Sequence, residues 1–245
     1  MILKENIIIK NLFAHSSAPW QQVILKEYFK KIKAGGDWKC LDLGCGLGNN
    51  LATILEFTKN IIAFDISEDV LNFCKNRYKN SEIKYTRGDV HRLPFKKEVF
   101  DLVICTEVVE HSPFPQILIK ESKRVLKPNG YLILSSQNYL NFAGLIKIFI
   151  DAINKKQNWD AWGTHERDFE NFITSFWINK VIKKEGFKIL DERGADYLNA
   201  WLIWLPFVYR NYKLLDKFPL FILGKLPFIK KVGMDYFLLL QKHYK

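Results

Sequence analysis

"LDLGCGLGN", residues 41–49, decides how the rest of the chain is read. A short apolar run enters three glycines at alternate positions, Gly44, Gly46 and Gly48, and "NNLATILEF" (49–57) then has helical character. Glycine lets a backbone turn tightly and lets a ligand approach it closely. The dinucleotide fingerprint G-x-G-x-x-G would need glycine at position 49, where Asn49 stands, and the Gly-Lys-Ser/Thr of a Walker loop is absent. A glycine turn between a strand and a helix is a weak signal alone, so its weight comes from what surrounds it.

Upstream, "PWQQVILKEYFKKIK" (19–33) has helical periodicity, with Pro19 in the first turn, Val23, Ile24, Tyr28 and Ile32 on one face, and "AGGD" as the stop. Downstream, "NIIAFDIS" (60–67), "EIKYTRGD" (82–89), "VFDLVICTE" (99–107) and "GYLILSSQN" (130–138) read as strands. Between them "EDVLNFCKNRYK" (68–79), with Ser67 as N-cap, and "FPQILIKESKRVLK" (114–127), closed by "PNG", read as helices. Strand and helix alternate through 37–138, which predicts an α/β fold with a doubly wound parallel sheet. A helix over 168–187, a sixth strand at 188–195 and a seventh over 234–245 follow. The resulting division is an N-terminal helical cap (1–36), a core (37–194), an aromatic, basic insertion or lid (195–232) and a closing strand (233–245).

Open parallel sheets bind ligands beyond the C-terminal ends of their strands. The polar residues of interest fall there: the glycines, then Asp65, 21 positions after Gly44, then Asp89 and Glu107. A carboxylate at the end of the second strand can accept two ribose hydroxyls, and one after the third can meet an adenine edge. Either aspartate alone could simply cap the next helix; both together after this glycine loop favour a nucleoside site.

"LDLGCGLGN", "AFDIS", "GDVHRLPF", "FDLVICTEVVEH" and "RVLKPNGYLILSS" resemble, in order and spacing, the motifs of class I S-adenosylmethionine-dependent methyltransferases over residues 38–138. The resemblance implies a Rossmann-like seven-stranded sheet with its last strand antiparallel. It implies S-adenosylmethionine as cofactor, held by Gly44, Cys45, Gly46 and Gly48, with Asp65 and Ile66 at the ribose, Asp89 and Val90 at adenine, and Asp42 and Thr106 near the methionine moiety. The motifs specify the superfamily and are poor guides to substrate.

"CTEVVEHSPF" (105–114) closes the fourth strand with Glu107, Glu110 and His111. On a helix these would lie at i, i+3 and i+4 and share a face. Three readings stay open. The set could hold Mg2+: "EVVEH" resembles the E-x-x-E-H of quinone-biosynthesis O-methyltransferases and of small-RNA 3′-end 2′-O-methyltransferases, and "GTHERDF" (163–169) adds His165 as a fourth ligand. Without a metal, His111 with Glu110 would supply general-base chemistry or orient the acceptor. Or the cluster is structural, a carboxylate at a helix start with a packed histidine.

The 245 residues carry 37 Lys+Arg against 26 Asp+Glu, a net charge of +11, and are 48% hydrophobic. A core is affordable and anionic partners are favoured. Cys40, Cys45, Cys74 and Cys105 form no CxxC, so free buried thiols in a reducing cytoplasm are expected. No run reaches the roughly 20 apolar residues that span a bilayer. The segment 195–232 breaks apolar, aromatic runs with Lys and Arg, which suits a lid over an apolar acceptor or peripheral contact with a membrane. Taken with the resemblance, which implies methyl transfer, these features favour a cytoplasmic enzyme acting on a small or lipid-like acceptor, at oxygen. RNA methylation is the rival for the charge, and a non-catalytic cofactor- or partner-binding protein is the alternative from another class.

Overall fold

The computed structural model describes residues 19–154, 171–202 and 224–243. The described elements are α1 (Pro19–Lys31), β1 (Cys40–Leu43), α2 (Leu51–Leu55), β2 (Ile61–Asp65), α3 (Glu68–Arg77), β3 (Lys84–Arg87), β4 (Phe100–Thr106), α4 (Pro115–Val125), β5 (Leu126–Gln137), α5 (Phe142–Asn154), α6 (Ser175–Lys184), β6 (Phe187–Ala195), α7 (Tyr197–Leu202) and β7 (Asp235–Lys242). One seven-stranded sheet runs β3-β2-β1-β4-β5-β7-β6. The first five strands of that order pair in parallel, and β7 lies antiparallel to both β5 and β6. The expected seven-stranded arrangement with an antiparallel last strand is therefore present.

Central strands are covered on both faces and so are apolar along their length. β1 and the first four residues of β2 are fully buried. Alternate residues feed two cores: Val103, Cys105 and Leu238 pack with α4 and α6, whereas Leu102, Ile104 and Phe237 pack with α1, α2 and α3. α3 begins where Ser67 Oγ accepts the Val70 N–H at 3.4 Å. Glu68 and Asp69 in its first turn and Lys75 and Arg77 in its last complement its dipole.

Three local expectations change. On α1, Val23 faces solvent, and the buried set is Trp20, Ile24, Leu25, Tyr28 and Phe29, with Ile32 just beyond the helix. The helix after β3 and β4 stops at Val125, and "PNG" is a bulge within β5, with Asn129 at φ 60° where pairing with β4 shifts register. Of the helix expected over 168–187, residues 168–170 lie outside the described ones, 171–174 are not helical, and the helix starts at Ser175, where Thr174 caps it by accepting the Trp177 N–H. The preceding backbone is spent on other segments: Asn171 N–H donates to Glu110 O and Ile173 O accepts from Tyr139.

Candidate active site

The glycine loop joins β1 to α2, and its Gly44 and Cys45 amides both donate to Phe64 O of β2, at 2.8 and 3.0 Å. Gly44, Gly46 and Gly48 all have positive φ, at 73°, 50° and 73°. A Cβ at Gly44 would lie 2.4 Å from Val108, but one at Gly46 would meet nothing within 4 Å. Gly44 is thus demanded by packing, and Gly46 borders open space. The loop's carbonyls are held from α3 and the residue after it: Cys74 Sγ donates to Gly46 O, Arg77 Nη1 to Leu47 O and Tyr78 OH to Gly48 O. The sequence reading missed these three; their spacing on one face of α3 (74, 77, 78) was the available signal.

Asp65 turns back onto this loop. Its Oδ2 accepts the Gly46 N–H and its Oδ1 the Ser67 N–H, both at 3.0 Å. Burial raises its pKa, and the amides of Ser67, Gly46 and Ile66 oppose the rise. Each carboxylate oxygen can accept a further bond, so a hydroxyl pair can still be received. Ile66 beside it presents a largely exposed side chain.

Asp42 in β1 is almost wholly buried, and neither carboxylate oxygen receives a well-formed hydrogen bond, the Asn50 amide being close enough only to favour the charged form weakly. Asn50, which stands nearby, spends its amide on Thr106 Oγ1 at 2.8 Å. Burial pushes Asp42 up to about 7, with Asn50 opposing and the Asp65 charge adding to the rise. A buried carboxylate without a well-formed hydrogen bond is costly unless a cation or donor arrives.

Asp89, beyond β3, accepts the His91 N–H on Oδ1 at 2.9 Å and faces solvent with much of its side chain. The His91 backbone amide, with the His91 ring adding to it, outweighs burial and holds the carboxyl below its usual range. Val90 packs against the core.

The segment 107–111 is not the α-helix that would align its three polar residues. Glu107 takes the left-handed conformation at φ 56°, and only Val109–His111 form a single 3-10 turn. Glu107 Oε1 accepts from Ser135 Oγ at 2.5 Å. Glu110 is fully buried, with Oε1 accepting the Gln137 N–H at 3.1 Å. His111 is half-buried at the turn's end. Among the described residues no group of three or more His, Cys, Asp or Glu is placed to hold a metal ion, and His165 lies outside them. Asp235, at the start of β7, joins this edge of the sheet: burial first, then the charges of Glu107 and Asp196, push its pKa well up, while Trp20 Nε1–H donates to it at 3.3 Å. All four cysteines are buried free thiols, as expected.

Comparison with known proteins bears on the family and the fold. Residues 41–134 match a methyltransferase domain. The chain is 30% identical over 159 residues to a ubiquinone biosynthesis O-methyltransferase of Coxiella burnetii, a match covering 64% of this chain and 66% of that relative. A SAM-dependent methyltransferase of Methanosarcina mazei superposes with a TM-score of 0.61 at 16% identity, over 86% of this chain and 94% of that one. The cyclase SpnF superposes with a TM-score of 0.60 at 17% identity, over 91% and 81%. The ordered motifs and the matched domain agree, and the solved structures share the fold: through residues 41–134 the chain belongs to the class I S-adenosylmethionine-dependent methyltransferase superfamily.

Proposed function

We propose that the chain transfers a methyl group from S-adenosylmethionine to an oxygen of a small or lipid-like acceptor. The observation that carries the cofactor is the pairing of a buried Asp42 carboxylate without a well-formed hydrogen bond, on the strand that leads into the glycine loop, with the open space at Gly46 of that loop. S-adenosylmethionine supplies a sulfonium methyl already activated for displacement, together with the α-ammonium group of its zwitterionic amino acid end. Asp42 would balance that positive charge, Gly46 would let the backbone approach, Asp65 would receive the ribose hydroxyls, and Asp89 the purine edge. The methyltransferase relatives rather than the fold favour this chemistry, since SpnF shares the fold and is named a cyclase.

On the acceptor side His111 would take the proton of an acceptor hydroxyl as its oxygen attacks the methyl carbon, a role worth about 10²–10⁴-fold in rate. The donor set does not favour Mg2+: Ser135 and the Gln137 amide already bond the carboxylates of Glu107 and Glu110. The O-methyltransferase relative supports oxygen as the acceptor atom.

A lipid-like acceptor is supported by an aromatic rim on the same edge of the sheet. Phe142, Leu145 and Phe149 share the exposed face of α5, and Trp201, Leu226 and Phe228 are exposed across the turn leading to β7. Phe228 is 87% exposed at φ 66°, a conformation a bulky residue adopts only when its frame imposes it. That frame is present: Tyr197 OH donates to Ile229 O, Trp201 Nε1 to Val232 O and Asn138 Nδ2 to Gly233 O. With a net charge of +11, the partner for this rim is an anionic bilayer surface. Flotation with phosphatidylglycerol vesicles tests this: wild type should float and Phe228→Ser should do so several-fold less. RNA binding in a gel shift without flotation would replace the lipid reading with RNA methylation.

A further inference from the structure

We propose that His91 is a positioning residue that ties the adenine-binding loop to the acceptor-side turn, so that cofactor binding and placement of the His111 turn are one coupled event. The proposal rests on the cofactor reading above. His91 lies two residues after Asp89, in the loop after β3; Ser112 follows His111, in the turn after β4. The imidazole spans the gap between them. Nδ1 lies 2.6 Å from Asp89 Oδ1, and Nε2 lies 2.7 Å from Ser112 Oγ. The Phe114 ring meets the imidazole at 80° with centroids 5.8 Å apart.

Proton bookkeeping fixes the direction of the bridge. Asp89 is a carboxylate and only accepts, so Nδ1 carries the proton. In the neutral ring Nε2 then accepts, and Ser112 must donate its hydroxyl proton to it. Ser112 Oγ in turn accepts the Phe114 N–H at 3.2 Å. Ser112 is buried, which makes a lost partner there costly.

Both ends of the bridge matter to the site. Asp89 gives Oδ1 to His91 twice, through the ring and the backbone amide, and neither bond uses Oδ2, which a purine amino group would take. At the other end Ser112 O accepts from Asn171 Nδ2 at 2.5 Å, and Asn171 N–H donates to Glu110 O at 2.7 Å. The turn bearing Glu110 and His111 is therefore gripped from one side by Asn171 and from the other by His91. A nucleoside that fixes Asp89 fixes His91, and His91 fixes Ser112 and the turn. In a merely structural network, Ser112, remote from the purine, would have no influence on cofactor affinity.

The test is titration calorimetry of the full chain with S-adenosylhomocysteine, using wild type, His91→Ala, Ser112→Ala, the double variant and His91→Gln. Each single alanine should weaken Kd about fivefold, and the double variant should be no weaker than the worse single one. His91→Gln, whose amide nitrogen and oxygen mimic the two ring positions, should recover most of the affinity. In methyl transfer, assayed well below the melting temperature of each variant, Ser112→Ala should also lower kcat. Affinity for Ser112→Ala within twofold of wild type, or effects that multiply in the double variant, would overturn the coupling. Should His91→Ala fail to fold, Ser112→Ala and His91→Gln decide the matter. Failure of the wild type to bind S-adenosylhomocysteine would instead overturn the cofactor reading, and the coupling with it.

Discussion

Asp42 is a carboxylate that folding buries and leaves without a well-formed hydrogen bond, and this gives it a measurable signature. Its folded pKa, about 7, lies above its ordinary value of 3.8, so the fold favours the protonated form. Stability therefore falls as pH rises from about 4 to about 7. A bound cation reverses the preference and favours the carboxylate, so affinity should rise with pH. Titrating S-adenosylhomocysteine at pH 6 and pH 8 should show roughly tenfold tighter binding at the higher pH, and Asp42→Asn should flatten the profile. The glycines divide by the same reasoning. Gly44→Ala drives a Cβ into Val108 at a positive φ and should cost about 2–3 kcal/mol of stability. Gly46→Ala meets no neighbour and should cost only about 1 kcal/mol, yet weaken S-adenosylhomocysteine at least tenfold, because the open space it fills belongs to the ligand. Asp65 and Asp89 were legible because strand ends are visible in the sequence. Asn50, Cys74, Tyr78 and Asp235 were not, since each acts across a loop or through a carbonyl that residue type does not reveal.

At the scale of elements, the segment after β4 shows where pattern reading stops. The spacing of Glu107, Glu110 and His111 predicts one helical face, but the chain turns left-handed at Glu107 and winds only one tight turn. The reason is that Glu110 is drawn inward by the Gln137 amide and Glu107 outward along β5 by Ser135, two bonds to a strand whose register the sequence does not state. Their consequences separate by mutation. Glu110→Ala leaves a buried N–H without its acceptor and should lose about 2–4 kcal/mol of stability, read as a thermal shift of several degrees. His111→Ala should keep stability within about 1 kcal/mol and lose at least a hundredfold in kcat. Loss of stability in both, with kcat retained by folded His111→Ala, would make the turn purely structural. The "PNG" bulge has the same lesson: a stop signal marks the helix end, but whether the next residues form a loop or a kinked strand depends on pairing with β4.

For the molecule as a whole, strand–helix alternation was enough to read a doubly wound sheet, because apolar runs without polar alternation require cover on both faces. The antiparallel placement of β7 came from resemblance, since a single apolar strand carries no mark of its direction. Among the described residues no helix is long and apolar enough to cross a membrane. The exposed aromatic rim and the acceptor-side turn lie on one edge of the sheet, joined through Gln137, Asn138 and Gly233, so the proposed membrane contact and the proposed chemistry fall at the same end. The most direct measurement is transfer of labelled methyl from S-adenosylmethionine, with lipid, RNA and small-metabolite fractions of the source cell offered separately. The account predicts label in the lipid or small-metabolite fraction, bound as a methyl ether and lost in His111→Ala. Label in RNA, or cofactor binding with no transfer to any fraction, would contradict it.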